Sequence, residues 1–104
     1  MVIQRILMLG MGTVQRSLIE LLQHKHHKLL KTKEIICICP ENIPKYIYDI
    51  IPHLHHIKTL ITSENMTKLL EPLMDNKTLC IDLTVNTDSI KIIELSRKNN
   101  TLYI

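Results

Sequence analysis

The chain has 104 residues, which is enough to bury one hydrophobic core but too few for two domains. Its net charge of +3 comes from basic residues interleaved with acids, and three tyrosines are its only aromatic residues, so the sequence disfavours a nucleic-acid interface. No apolar run approaches the roughly 18 residues of a membrane-spanning helix. The three cysteines lie in apolar runs, which predicts reduced, buried thiols in a cytoplasmic protein.

Apolar runs alternate with amphipathic segments along the whole chain. The patterns predict, in chain order, a strand at 2–9, a helix at 13–28, a strand at 34–39, a short helix at 43–51, a strand at 57–61, a helix at 64–73, a strand at 78–85, a helix at 89–98 and a strand at 101–104. The predicted apolar face of the first helix consists of Val14, Leu18, Leu21 and Leu22.

Residues at the segment ends fit these boundaries. Pro40 ends the second strand, and Ser63 is a candidate N-cap of the third helix. Thr87 and Asp88 are candidate caps of the fourth helix. Because the strands are apolar throughout, both faces of their sheet are expected to be covered. The sequence therefore predicts a three-layer, Rossmann-like α/β fold with five parallel strands in the order 3-2-1-4-5 and helices on both faces.

The only two glycines, Gly10 and Gly12, follow the first strand directly, at the point where the predicted strand order reverses. Ligands of such sheets bind beyond the carboxyl ends of the strands at this point. Gly10 allows a tight turn, and Gly12 allows a phosphate group to approach the backbone. The amides of Gly12, Thr13 and Val14 would then point at an anion. The position predicts a dinucleotide site.

Two positions depart from the full G-x-G-x-x-G fingerprint. The third glycine is replaced by Gln15, which shares a helix face with leucines and should be partly buried. The acid expected at the end of the second strand is replaced by Cys39, and Glu41 follows two residues later, beyond Pro40. No arginine stands near this strand end to suggest a pocket for a 2′-phosphate.

Several segments resemble bacterial homospermidine synthases, the NAD-dependent relatives of saccharopine dehydrogenase. The segments are ILMLGMGTV at 6–14, LLEPL at 69–73, LCIDLTVNT at 79–87 and ELSRKNNTLYI at 94–104. The resemblance covers essentially the whole chain. It implies a nucleotide-binding fold with NAD as a tightly held group. In that family NAD oxidises an amine of putrescine, an aminobutyl group is transferred through an imine, and the imine is reduced to homospermidine.

The resemblance also implies which residues surround the cofactor. The phosphate turn would be Gly10, Met11, Gly12, Thr13 and Val14; the ribose position would be Cys39 and Pro40; the nicotinamide side would be Leu83, Thr84 and Val85. The family's catalytic residues lie in a downstream domain, so none is assigned here. We therefore expect residues 1–104 to form a single NAD(P)-binding domain that ends before the catalytic domain.

Other functions stay open at this point. A stand-alone nucleotide-sensing module would use the same glycine turn, and a degenerate remnant would fold without binding NAD. The predicted fifth strand lies at a sheet edge, which predicts self-association. Neither a membrane nor a nucleic acid is an expected partner.

Three further groups of residues could have either a structural or a functional role. The clusters His24, His26, His27 and His53, His55, His56 are predicted at the amino-terminal edge of the sheet, as solvated side chains more than as a metal site. Cys37 and Cys39 are predicted to be buried thiols on one face of their strand. Asp82 is either a buried acid with internal hydrogen bonds or a residue of the cofactor cleft.

Overall fold

The computed structural model describes residues 2–84 and 87–104 and contains one five-stranded sheet. Its elements in chain order are β1 (Arg5–Leu9), α1 (Thr13–Lys25), α2 (His27–Thr32), β2 (Glu34–Cys39), α3 (Lys45–Ile50), β3 (His55–Lys58), α4 (Met66–Leu70), a 3-10 turn (Glu71–Leu73), β4 (Thr78–Asp82), α5 (Ser89–Lys98) and β5 (Leu102–Tyr103). In this described part of the chain, no helix is long and apolar enough to cross a membrane.

The strand order is β3-β2-β1-β4-β5, and every neighbouring pair is parallel. This confirms the predicted fold class and strand order. In the register, Leu9 at the end of β1 lies between Ile38 on β2 and Asp82 on β4. The carboxyl ends of the three central strands therefore finish side by side, and the turn after β1 lies between the other two.

Successive side chains of a strand point to opposite faces, and here both faces are covered. Ile6 and Met8 of β1 belong to a buried cluster that includes residues of α1, α2 and α3. Leu7 and Leu9 belong to a second cluster on the other face, which includes residues of α4 and α5. The continuous apolar runs of the central strands thus fill two cores, as the three-layer prediction requires.

The first helix is shorter than predicted. Instead of continuing over 13–28, α1 ends at Lys25, and the backbone of His26 leaves the helical region (φ −143°, ψ 50°). The amide of His26 still donates to the carbonyl oxygen of Leu22 at 2.7 Å, and a second helix, α2, begins at the next residue. The break lets the chain turn back before β2.

The buried face of α1 also differs from the prediction. Gln15 and Ile19 are completely buried, whereas Val14 and Leu21 are 65% and 55% exposed. Residues four apart in a helix lie on one face, and the sheet contacts the face of Gln15 and Ile19. Leu18 and Leu22 of the predicted face do pack, partly buried, against the core, whereas Val14 and Leu21 are exposed.

Several strands are shorter than predicted, since β1 begins at Arg5, β3 ends at Lys58 and β4 ends at Asp82. β3 begins at His55, not at residue 57, so it includes two histidines. Ser63 does not cap α4; instead the amide of Thr62 donates to Oδ1 of Asn65 at 2.7 Å, and the amide of Asn65 donates to Oγ1 of Thr62 at 3.2 Å. Asp88 is the N-cap of α5 and accepts the amide of Lys91, as predicted.

Candidate functional site

A cavity of about 600 Å³ opens at the carboxyl ends of the central strands. It lies where β1 turns into α1, at the predicted position. Its lining residues are Gly10, Met11, Gly12, Arg16, Ile38, Pro40, Glu41, Asn42, Pro44, Thr59, Leu60, Ile61, Leu83, Thr84 and Thr87. Four loops contribute to this wall, those after β1, β2, β3 and β4.

The backbone conformation and the packing of the turn after β1 both require glycine at position 10. Its φ of +91° lies in a region that L side chains rarely adopt. A Cβ atom here would lie 3.1 Å from the carbonyl oxygen of Leu83. The amide of Gly10 donates to the carbonyl oxygen of Ile38 at 2.9 Å, which ties the turn to β2. Gly10 is therefore hydrogen-bonded to the end of β2 and lies close to the loop after β4.

Gly12 is different, because neither its backbone nor its packing requires glycine. Its φ of −81° is open to any residue, and an added Cβ would have no heavy atom within 4 Å among the described residues. The space beside it belongs to the cavity. A glycine at this point keeps that space free, which is what close approach of a phosphate group to the backbone demands.

α1 begins at the cavity wall, and its first turn has amides without an intrahelical acceptor. Gly12 is the N-cap, and no side chain of the described residues caps this helix. The amide of Arg16 donates to the carbonyl oxygen of Gly12 at 3.0 Å and closes the first turn. The amides of Thr13, Val14 and Gln15 precede that bond and have no intrahelical acceptor. Together with the helix dipole they favour an anion.

Gln15 occupies the place of the third fingerprint glycine and is completely buried. Its Nε2 donates to the carbonyl oxygen of Gly10 at 3.2 Å. The thiol of Cys37 lies 3.7 Å from the same oxygen. The Oε1 atom of Gln15 has no hydrogen-bond partner among the described residues. The glutamine therefore fills the space between helix and strand and supports the Gly10 turn from below.

The end of β2 does not present Cys39 to the cavity. Its side chain is 1% exposed and belongs to the core under α1 and α3. The thiol lies 3.3 Å from the carbonyl oxygen of Glu41 and 3.3 Å from Nε2 of His56. Burial raises the pKa of the Cys39 thiol. The lining residues at this end are Pro40, Glu41 and Asn42.

Arg16 and Glu41 are the two charged residues of the lining. Both were missed as site residues by the sequence reasoning, which found no arginine near the end of the second strand and placed Glu41 too late. Arg16 lies on the first turns of α1, and its Nη2 donates to Oγ1 of Thr13 at 3.3 Å. The Nε atom of Arg16 is buried and has no partner among the described residues.

The loop after β4 contributes Leu83, Thr84 and Thr87 to the wall. Val85, which the family resemblance assigns to the nicotinamide side, lies outside the described residues. Asp82 precedes this loop but does not line the cavity. Its carboxylate accepts hydrogen bonds from the protein itself, namely from the Thr84 amide and hydroxyl, the Ser89 hydroxyl and the Tyr103 hydroxyl. The structure thus favours the internal interpretation of Asp82.

Six of the ten predicted cofactor residues line one cavity: Gly10, Met11, Gly12, Pro40, Leu83 and Thr84. Thr13 and Val14 lie beside it on the first turn of α1. The histidines do not form one group. Nε2 of His53 donates to the carbonyl oxygen of Lys33 at 2.9 Å, whereas Nε2 of His56 lies 3.1 Å from the carbonyl oxygen of Cys39, near the opposite end of the sheet.

The placement of His56 at the amino-terminal edge was wrong, because β3 begins two residues earlier than predicted. Within residues 2–84 and 87–104, no three His, Cys, Asp or Glu side chains converge as a metal site requires.

Comparison with known proteins agrees with this geometry. Residues 6–104 match the family model described as the saccharopine dehydrogenase NADP binding domain. The chain is 28% identical over 102 residues to a homospermidine synthase of Blastochloris viridis, covering 95% of this chain and 21% of that protein. It is also 28% identical over 102 residues to a homospermidine synthase of Mesorhizobium japonicum, covering 95% of this chain and 20% of that protein. The chain thus spans about a fifth of the length of these curated relatives.

Proposed function

The chain belongs to the saccharopine dehydrogenase NADP-binding domain family, and from that premise we propose that it binds NAD as the cofactor domain of a homospermidine synthase-like enzyme. The observation that carries the proposal is the free space beside Gly12, which the fold itself does not require. The amides of the first turn of α1, which have no intrahelical acceptor, follow Gly12 directly. Bound NAD would supply hydride transfer, and the residues of this chain would hold and orient it.

The proposal assigns each loop one part of the dinucleotide. The pyrophosphate would be surrounded by the loop after β1 and the first residues of α1, namely Gly10, Met11, Gly12, Thr13 and Val14. Cys39 would shape the ribose position from below, through its backbone, and Pro40 would line it. Leu83, Thr84 and Val85 would lie towards the nicotinamide. This arrangement follows the general rule for ligands at the switch point of such sheets.

Glu41 supports NAD over NADP. Glu41 lines the cavity just beyond β2, where an acid would accept hydrogen bonds from the ribose hydroxyls of NAD. The same negative charge would repel the 2′-phosphate of NADP. The assignment covers cofactor binding in a single domain of residues 1–104. Turnover of putrescine would require catalytic residues beyond this domain.

The test is a calorimetric titration of the chain with NAD⁺ and NADP⁺. We expect saturable binding of NAD⁺ that is tighter than binding of NADP⁺. Gly12→Val should abolish it, because the branched side chain would fill the space that the phosphate needs. Ser17→Val is the matched control, since it adds similar bulk to an exposed position of α1 outside the cavity.

Two results would contradict the proposal. If the wild-type chain, folded by circular dichroism, binds neither nucleotide at millimolar concentration, the chain is a remnant that folds without a ligand. If Gly12→Val and Ser17→Val weaken binding equally, the ligand does not approach the Gly12 backbone.

We also propose that the chain self-associates through the edge of the sheet at β5. Leu102 and Ile104 are 47% and 67% exposed at this edge. An exposed apolar edge strand is a template for pairing with a second copy.

A further inference from the structure

Arg16 extends from α1 over the start of its own helix. Side chains of an α-helix lean towards the amino terminus, so an arginine in the first turns can reach the N-terminal turn. Its Nη2 donates to Oγ1 of Thr13 at 3.3 Å. Arg16 and Gly12 line the same cavity. The guanidinium therefore lies beside the amides that face the predicted phosphate position.

Within the described residues, no acidic side chain forms an ion pair with Arg16. Among the described residues the ion pairs are formed by Arg5 and Lys98, and Arg16 takes part in none. The residue is partly buried, and its Nε has no hydrogen-bond partner in the described part of the chain. Partial burial of a cation without a counter-ion is unfavourable. An anion bound in the cavity would satisfy the five-donor guanidinium.

We propose that Arg16 is a phosphate-binding residue of this site and that it donates to the pyrophosphate of the dinucleotide. The inference rests on the proposed function and adds a residue to it that the glycine turn does not predict. The contact with Thr13 holds the guanidinium at the first turn of α1, where the pyrophosphate would lie. Glu41 lines the ribose end of the same cavity and disfavours a second phosphate there.

The test compares Arg16→Gln with Arg16→Lys and with the matched control Arg97→Gln. Arg97 is exposed near the end of α5, outside the cavity, and its replacement changes the net charge equally. Each variant is titrated with NAD⁺, ADP-ribose, NADP⁺ and adenosine at low and high salt. Thermal unfolding without ligand checks the fold of each variant.

We expect Arg16→Gln to weaken binding of NAD⁺ and ADP-ribose by about 10- to 100-fold, the usual effect of a lost hydrogen bond to a charged group. Adenosine binding should not change, because adenosine carries no phosphate. The affinity of Arg16→Lys for NAD⁺ should lie between those of the wild type and Arg16→Gln. Lysine keeps the positive charge but loses the paired N–H donors of the guanidinium. The dependence of NAD⁺ affinity on salt should decrease in Arg16→Gln and stay unchanged in Arg97→Gln.

Three outcomes would overturn the inference. Wild-type binding of NAD⁺ with an unchanged affinity in Arg16→Gln would leave the proposed function intact and remove Arg16 from the site. A loss restricted to NADP⁺ would place the guanidinium at the 2′-phosphate instead of the pyrophosphate. Absence of NAD⁺ binding by the wild-type chain would overturn the proposed function, and the role of Arg16 with it.

Discussion

At the scale of single residues, the two glycines of the turn have different physical causes. Gly10 has a positive φ, and an added Cβ atom would be crowded against the carbonyl oxygen of Leu83 at 3.1 Å. Gly12 has an ordinary φ and open space around it. The first glycine is therefore required for folding, whereas the second is explained by a ligand. Substitution at each position separates the two causes.

Gly10→Ala should destabilise the protein by about 1–3 kcal/mol, because alanine would be strained at this φ and crowded against Leu83. Gly12→Ala is the matched control and should cost at most about 1 kcal/mol, because alanine is a poorer N-cap than glycine but meets neither strain nor crowding among the described residues. Urea unfolding followed by circular dichroism measures both. Equal destabilisation by the two substitutions would contradict the different causes assigned to them.

The sequence predicted the glycine turn but not the charged residues around it. Gly10 and Gly12 are visible because their spacing follows a strand and precedes a helix. Arg16 lines the cavity from α1, and Glu41 lines it from the loop after β2. Neither position belongs to a sequence motif with a fixed spacing. The burial of Cys37 and Cys39 on one side of β2 was predicted and is confirmed, and that side is the core under α1 and α3.

At the scale of elements, Asp82 connects the end of β4 with α5 and β5. Its carboxylate accepts the Thr84 amide at 3.1 Å, the Thr84 hydroxyl at 2.6 Å, the Ser89 hydroxyl at 2.9 Å and the Tyr103 hydroxyl at 2.6 Å. Burial alone would raise the pKa of Asp82, but these hydrogen bonds outweigh burial and lower it. Burial and then the bond to Asp82 raise the pKa of Tyr103 to about 12.

Asp82→Asn should destabilise the protein by about 1–3 kcal/mol at neutral pH, because the amide replaces a charged acceptor. The folded protein lowers the pKa of Asp82 below its ordinary value of 3.8. Its stabilising effect is therefore complete above that value and is lost as the pH falls through the folded pKa. The difference between wild type and variant should shrink over this acidic range.

Urea titrations at a series of pH values measure this effect. The control Asp49→Asn removes an exposed carboxylate from α3 and should leave the stability nearly unchanged. A difference between wild type and Asp82→Asn that is the same at neutral and acidic pH would show that the charge of Asp82 does not stabilise the fold.

An element boundary was predicted well where a polar residue or a proline directly flanks an apolar run. The bounds of β2 agree with the prediction, because polar Lys33 precedes its apolar run and Pro40 follows it. The buried face of α1 was predicted less well. Val14 and Leu21 fit a helical apolar stripe, yet the sheet covers the face that contains Gln15. The burial of Gln15 was predicted, because it shares a helix face with leucines, but the exposure of Val14 and Leu21 was not.

At the scale of the whole molecule, the order of the strands follows from general rules. Apolar strands need cover on both faces, and right-handed crossovers then leave few arrangements of five parallel strands. The same rules place β3 and β5 at the two edges. The composition of these edges differs: β3 carries His55 and Lys58, which are exposed, whereas the β5 edge carries exposed Leu102 and Ile104. Charged edges resist pairing with a second chain, and apolar edges favour it.

The proposed self-association through β5 is testable by light scattering. Wild-type protein at high concentration should approach twice the monomer mass of 12.1 kDa. Leu102→Lys should restore the monomer, because a charge at an edge strand opposes pairing. Leu21→Lys is the control, since it replaces a similarly exposed leucine on α1, away from the edge. A wild-type protein that stays monomeric, or a dimer that both variants disrupt equally, would exclude the β5 edge as the contact surface.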